Sequence, residues 1–306
     1  MDLSKYFLVE GNIASVLNSL VHSLEDVGQG NQQPALSPQD LAAQKVLQRN
    51  NVRVIGEGKP PILLCHGFGC NQHIWHYLTT PLAARYQIIL FDHVGAGESD
   101  LTAYDPVKYN SLDGYAQDII EICQALKLQE VVIVGHSVGA MIAMLAAISG
   151  PEYFSKVVML APSPCYSNQP GYHGGFEPED VQQLLQLMDA DYNGWAHMFA
   201  GLLVGPDHAS LGEELATYFC ETDSTIAKQF ARVSFLSDNR AEVPHLQTST
   251  LLLQCQQDAV APEEVGAYLL EHMHKATLVQ LQATGHCPHL SAPLETLAAI
   301  EAFLAA

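Results

Sequence analysis

Three residues carry the chemistry this sequence can do: Ser137, Asp258 and His286. Ser137 stands in Gly135-His136-Ser137-Val138-Gly139, a G-x-S-x-G pentapeptide between the apolar runs 131–134 and 140–148. That layout predicts a serine on a sharp strand-to-helix turn, its hydroxyl raised above a sheet. A non-glycine residue at such a turn adopts a strained backbone. Gly135 and Gly139 permit the turn, because a Cβ at either position would crowd the neighbouring strand or helix. A serine hydroxyl is a poor nucleophile near neutral pH, so a base must take its proton as it attacks. His286, in Thr284-Gly285-His286-Cys287, is the candidate base. Asp258 follows the apolar run 251–255 and is the candidate acid that holds the imidazole in the right tautomer. Serine, acid, histidine is one of the chain orders in which such a triad occurs.

Rivals exist for each partner. His136 lies inside the pentapeptide and is expected to point into the sheet, while His289 is expected to support the helix that follows it. Asp238 is the rival acid, but it falls in a helical region rather than after a strand. An oxyanion needs two N–H donors. Val138, directly after the serine, supplies one. Phe68, in the loop His66-Gly67-Phe68-Gly69, is chosen for the other, because flanking glycines let that loop approach a substrate.

The elements that must position these residues alternate. Strands are expected at 52–55, 62–65, 87–92, 131–134, 157–160, 251–255 and 277–281. Helical patterns at 112–125, 140–148, 265–272 and 293–304 separate most of them. Such alternation predicts an α/β fold: a mostly parallel sheet flanked by helices on both faces. The sheet layer is expected to occupy 46–162 plus 246–306. Residues 163–245 contain no convincing strand but four helical patterns, at 178–188, 194–203, 213–220 and 225–235, and read as an inserted four-helix lid.

Residues 1–45 look different. Ile13, Val16, Leu17, Leu20, Val21 and Leu24 make an amphipathic stripe, residues 28–37 a polar linker and 40–48 a second short helix. Such an arm either folds back on its own core or docks on another protein or a second copy.

Composition narrows the partners. Thirty-three acidic residues against thirteen basic ones leave a formal charge of −20. That disfavours nucleic acid or an anionic membrane. No segment is apolar and long enough to span a bilayer. Seven scattered cysteines suit a reducing cytoplasm. The fourteen histidines include close sets such as His66, Cys70, His73 and His76, but none has metal-ligand spacing, so no metal or cofactor is expected.

With these residues placed, the chain resembles the RsbQ-like α/β-hydrolases over about residues 46–306. These are bacterial stress-response hydrolases, and the plant strigolactone and karrikin receptors share their architecture. The likeness rests on His66-Gly67-Phe68-Gly69-Cys70, Phe91-Asp92-His93-Val94-Gly95-Ala96-Gly97, Leu112-Asp113-Gly114-Tyr115-Ala116-Gln117-Asp118, Ser163-Pro164-Cys165-Tyr166, Gly174-Gly175-Phe176, Phe235-Leu236-Ser237-Asp238-Asn239-Arg240 and Gly285-His286-Cys287-Pro288-His289. The resemblance implies slow hydrolysis of a small hydrophobic ester or lactone for a signalling purpose. It implies a regulatory phosphatase with a sensor domain as partner, and an apolar pocket lined by Phe68, Phe176, Trp195, Phe199 and Phe235. A ligand receptor with vestigial hydrolysis and a general carboxylesterase are the alternatives. The arm and the lid segment 204–211 depart from the family pattern.

Overall fold

The computed structural model describes residues 37–306. The apolar stripe expected at 13–24 lies outside the described residues. Helix α1 (Pro38–Arg49) opens on Ser37, whose side chain accepts the N–H of Asp40, with a proline in its first turn. β1 (Arg53–Ile55), β2 (Pro61–Cys65), α2 (His76–Ala83) and β3 (Gln87–Leu90) follow. Then come α3 (Leu112–Ala125), β4 (Val131–His136), α4 (Val138–Ser149) and β5 (Phe154–Leu160). Four helices stand between β5 and the next strand: α5 (Pro178–Ala190), α6 (Tyr192–Val204), α7 (Ala209–Glu221) and α8 (Ser224–Phe235). β6 (Ser249–Gln257), α9 (Glu263–His272), β7 (Ala276–Thr284), the single-turn α10 (Pro288–Ser291) and α11 (Pro293–Ala305) complete the chain.

The seven strands form one sheet in the order β1-β3-β2-β4-β5-β6-β7, parallel throughout except for the short β1. β4 lies in the middle with every residue buried, as a Val-Ile-Val run covered on both faces requires. The C-terminal ends of β4, β6 and β7 therefore share one edge. That is where Ser137, Asp258 and His286 leave the sheet.

The boundary expected after residue 45 falls inside α1. The helix continues to Arg49 because its last turn is tied to the core. Arg49 Nη2 lies 3.0 Å from Asp118 Oδ1, and Arg49 Nη1 donates to Glu121 at 2.6 Å. Asp118, on α3, is fully buried and also accepts from Lys108 Nζ at 2.6 Å and from the Tyr109 hydroxyl at 2.9 Å. Removing this carboxylate would leave two half-buried cations facing a dry site. Asp118→Ala is expected to cost about 3 kcal/mol, read as a lower urea midpoint.

Candidate active site

Ser137 sits between β4 and α4 at φ 55° and ψ −126°, a strained conformation for a residue with a Cβ. Its N–H is anchored on the Leu160 carbonyl at 2.9 Å. The neighbours explain the pentapeptide. A Cβ on Gly135 would lie 2.4 Å from the Gly139 carbonyl, and one on Gly139 would lie 2.3 Å from the His66 carbonyl. The turn thus wedges β4 and α4 against the loop that follows β2.

Ser137 Oγ is 2.7 Å from His286 Nε2, and His286 Nδ1 is 2.7 Å from Asp258 Oδ2. Asp258 Oδ1 accepts the N–H groups of Val260 and Ala261 at 2.8 and 3.0 Å. Burial works against the charge on Asp258. His286 beside it and the two N–H donors outweigh that, and its pKa falls below the ordinary carboxylate value. An ionised Asp258 accepts from Nδ1–H, which leaves Nε2 with its lone pair facing the serine hydroxyl. The His286 loop is held from two sides: Gly285 N–H donates to Gln257 O at 2.7 Å and His286 N–H to Leu203 O, on α6, at 2.6 Å.

The rivals are elsewhere. Asp238 is half-exposed and paired with Arg240. Asp92 is buried but spent on local donors, the N–H of Gln72 and Glu98 and the amides of Gln72 and Asn51. His289 packs at a tilt against Trp75 and His136. His136 does not point into the sheet as expected. Its Nε2–H donates to the His286 carbonyl at 2.9 Å.

Val138 is the first residue of α4, so its N–H has no partner within the helix. On the Phe68 side, His66 Nδ1–H donates to the Gly67 carbonyl at 2.9 Å. The peptide is planar, so holding that carbonyl also fixes the direction of the Phe68 N–H.

A cavity of about 20 Å3 lies over Ser137 and His286. Its walls come from the sheet edge (Phe68, Tyr166, Val260) and from the inserted helices (Phe199, Leu203, Phe235). Phe68 bridges the two layers, its ring 5.6–6.0 Å from those of Trp195, Phe219, Phe230 and Phe235. That volume holds about one water.

Residues 62–300 match the model of the "Alpha/beta hydrolase family". The chain belongs to that family. It is 38% identical over 251 residues to a probable esterase of Oryza sativa subsp. japonica, covering 81% of this chain and 93% of that protein. It is 35% identical over 256 residues to "Strigolactone esterase D14" of Arabidopsis thaliana, covering 83% of this chain and 96% of that one. Among solved structures, a hydrolase from Oleispira antarctica superposes with a TM-score of 0.84 at 40% identity, covering 86% of this chain and 97% of that chain.

Two of the five expected pocket residues of this α/β-hydrolase are not in the wall. Trp195 lies one layer back, stacked on Phe199 with ring centroids 4.8 Å apart. Phe176 is held by backbone bonds to Tyr166 and Asn168 and packs only partly buried against the core. Tyr166 takes the nearer place. Its hydroxyl is 3.4 Å from Ser137 Oγ, and burial pushes its pKa up to about 12. Sequence reasoning missed it as a site residue, although it follows the C-terminal end of β5, the edge on which α/β sites gather. Cys70, Leu203, Ser234 and Val260 were missed too, since only packing decides which loop and lid-helix residues reach a cavity.

Proposed function

We propose that this protein is a serine hydrolase acting slowly on a small hydrophobic ester or lactone. The hydrogen-bonded sequence Asp258–His286–Ser137, with both links at 2.7 Å, is the observation that carries the reading. In the first half-reaction Ser137 Oγ bonds to the acyl carbon while its proton passes to His286 Nε2. The carbonyl oxygen becomes an oxyanion, for which Val138 and Phe68 supply N–H donors. Asp258 stabilises the imidazolium. As the C–O bond to the leaving group breaks, His286 returns the proton to that oxygen. A water then attacks the acyl-serine, gives its proton to His286, and the acid departs as Ser137 recovers a proton. From a lactone the leaving hydroxyl stays on the acyl chain, so the product is a single hydroxy acid.

The cavity supports both adjectives. Its walls are mostly aromatic and aliphatic, with few polar groups beyond the reacting residues. Its free volume is far below the roughly 300–1,000 Å3 of ordinary ligand sites, so substrate entry requires the aromatic contacts of Phe68 with the lid to part. A step that breaks such a layer limits turnover.

Ser137→Ala is expected to lower p-nitrophenyl acetate turnover at least about 10^4-fold, and to abolish a fluorophosphonate adduct seen by intact mass in the wild type. Turnover within tenfold of wild type would remove the assignment.

The signalling role is the second part of the reading. Of the relatives, "Strigolactone esterase D14" is named as an esterase and "Karrikin insensitive 2 receptor CA" of Petunia hybrida as a receptor. The resemblance to RsbQ-like hydrolases suggests a regulatory phosphatase with a sensor domain as partner. All seven cysteines are free, which suits a cytoplasmic setting. Pull-downs from the host, with and without ligand, that recover no such phosphatase would leave a general carboxylesterase in its place.

A further inference from the structure

We propose that His136 is a positioning residue of the hydrolytic site, joining the loop of the base His286 to the loop that carries Phe68. The inference rests on the proposed serine-hydrolase reading. His136 is the last residue of β4, directly before Ser137, and is 2% exposed. Its backbone is therefore fixed by the centre of the sheet.

Its two ring nitrogens face different neighbours. Nε2–H donates to the His286 carbonyl at 2.9 Å, so the base is held through its own backbone. Nδ1 has no hydrogen-bond partner and faces the Cα of Gly67, where a Cβ would come within 2.7 Å of it. Gly67 thus closes on the imidazole edge at a distance only glycine allows. The carbonyl bond sets the tautomer, because Nε2 must carry the hydrogen to donate it. Burial keeps the ring neutral, with its pKa pushed down to about 3, so the arrangement does not change over ordinary pH. His289, at 4.5 Å between ring centroids, also packs on the imidazole.

The consequence is geometric. Ser137, His286 and Phe68 come from three separate loops, and proton transfer and oxyanion binding need all three in register. His136 is one rigid body that touches the latter two and is bonded to the first. Misplacement of reacting groups by about 1 Å costs on the order of 100-fold in rate.

The experiment compares His136→Phe, His136→Gln and Ser137→Ala in the full chain, with p-nitrophenyl acetate as probe. Phenylalanine keeps the ring shape and removes the donor. Glutamine places an amide N–H near the position of Nε2. His136→Phe is expected to lower kcat 10- to 100-fold with KM within about twofold of wild type. His136→Gln is expected to recover kcat to within about fivefold of wild type. Two results overturn the role: wild-type kcat in His136→Phe, or equal losses in Phe and Gln variants of equal melting temperature. Activity retained in Ser137→Ala would instead remove the hydrolase reading beneath it. A silent serine variant beside a fully active His136→Phe removes the role of His136 alone.

Discussion

Asp258→Asn is expected to lower kcat for p-nitrophenyl acetate by about 10^4-fold near neutral pH, with little change in melting temperature. The size follows from the two jobs this carboxylate does at once. Oδ2 accepts from His286 Nδ1, and Oδ1 accepts from Val260 and Ala261. An asparagine has only one acceptor oxygen. If that oxygen stays on the two backbone N–H groups, the amide NH2 faces Nδ1 and donates to it. The imidazole must then carry its hydrogen on Nε2, and it cannot take the proton of Ser137. If the amide flips, the NH2 confronts two backbone donors in a buried site, which is the more costly choice. The side chain keeps its volume, so the loop after β6 stays packed. Activity within tenfold of wild type would place the acid elsewhere. Asp238 and Asp92 are the carboxylates to test next, but one is committed to Arg240 and the other to four loop donors.

The serine turn is legible in the sequence because its requirements are local. A Val-Ile-Val strand, two glycines at fixed offsets and an apolar helix each leave a pattern in adjacent residues. Helix 112–125 is legible to its last residue for a similar reason: Ser111 caps its first turn, accepting the N–H of Asp113. The strands are legible only along their apolar stretches. β4 and β6 run further because polar and glycine residues, such as Gln257 and Gly135, continue the ladder where the partner strand does. Topology places the acid and the base, since a parallel sheet delivers both to one edge.

The pocket wall is much less legible. Trp195 and Phe199 lie four apart on α6 and share a helix face, so periodicity cannot tell which reaches the cavity. The answer depends on Phe219, from α7, whose ring packs against both and against Phe68. His136 misleads on similar grounds. A histidine ending a buried strand is ordinarily a sheet residue, and only the loop that follows β7, two strands beyond β5, brings in the His286 carbonyl it binds.

Acid should unfold this hydrolase steeply, and buried histidines rather than carboxylates should drive it. His66, His93, His136 and His289 are at most 2% exposed. Burial holds all four below the usual imidazole value of 6.5, and neighbouring histidines press three of them, His93, His136 and His289, down further. A pKa depressed in the folded state means the unfolded chain binds more protons as pH falls through about 6.5. Stability is then intact above that value and is lost below it. Each group contributes about 1.4 kcal/mol per pH unit, so four together remove on the order of 5 kcal/mol per unit. A reserve at the low end of the typical range of about 5–15 kcal/mol would be exhausted at roughly pH 5.5. The repulsion within a −20 chain relaxes only as surface carboxylates titrate near pH 4, too low to offset the early loss. Urea midpoints measured from pH 7 to 5 should therefore fall with a slope that steepens from about one proton toward about four. His289→Gln should reduce that slope by about one proton, whatever it does to stability at pH 7. A wild-type slope that stays at one proton or fewer would mean that these imidazoles admit charge or water in the folded state. For two of them the packing argues against that: His289 lies against Trp75, and His93 against Tyr115 and Phe230, which leaves little room to hydrate an imidazolium.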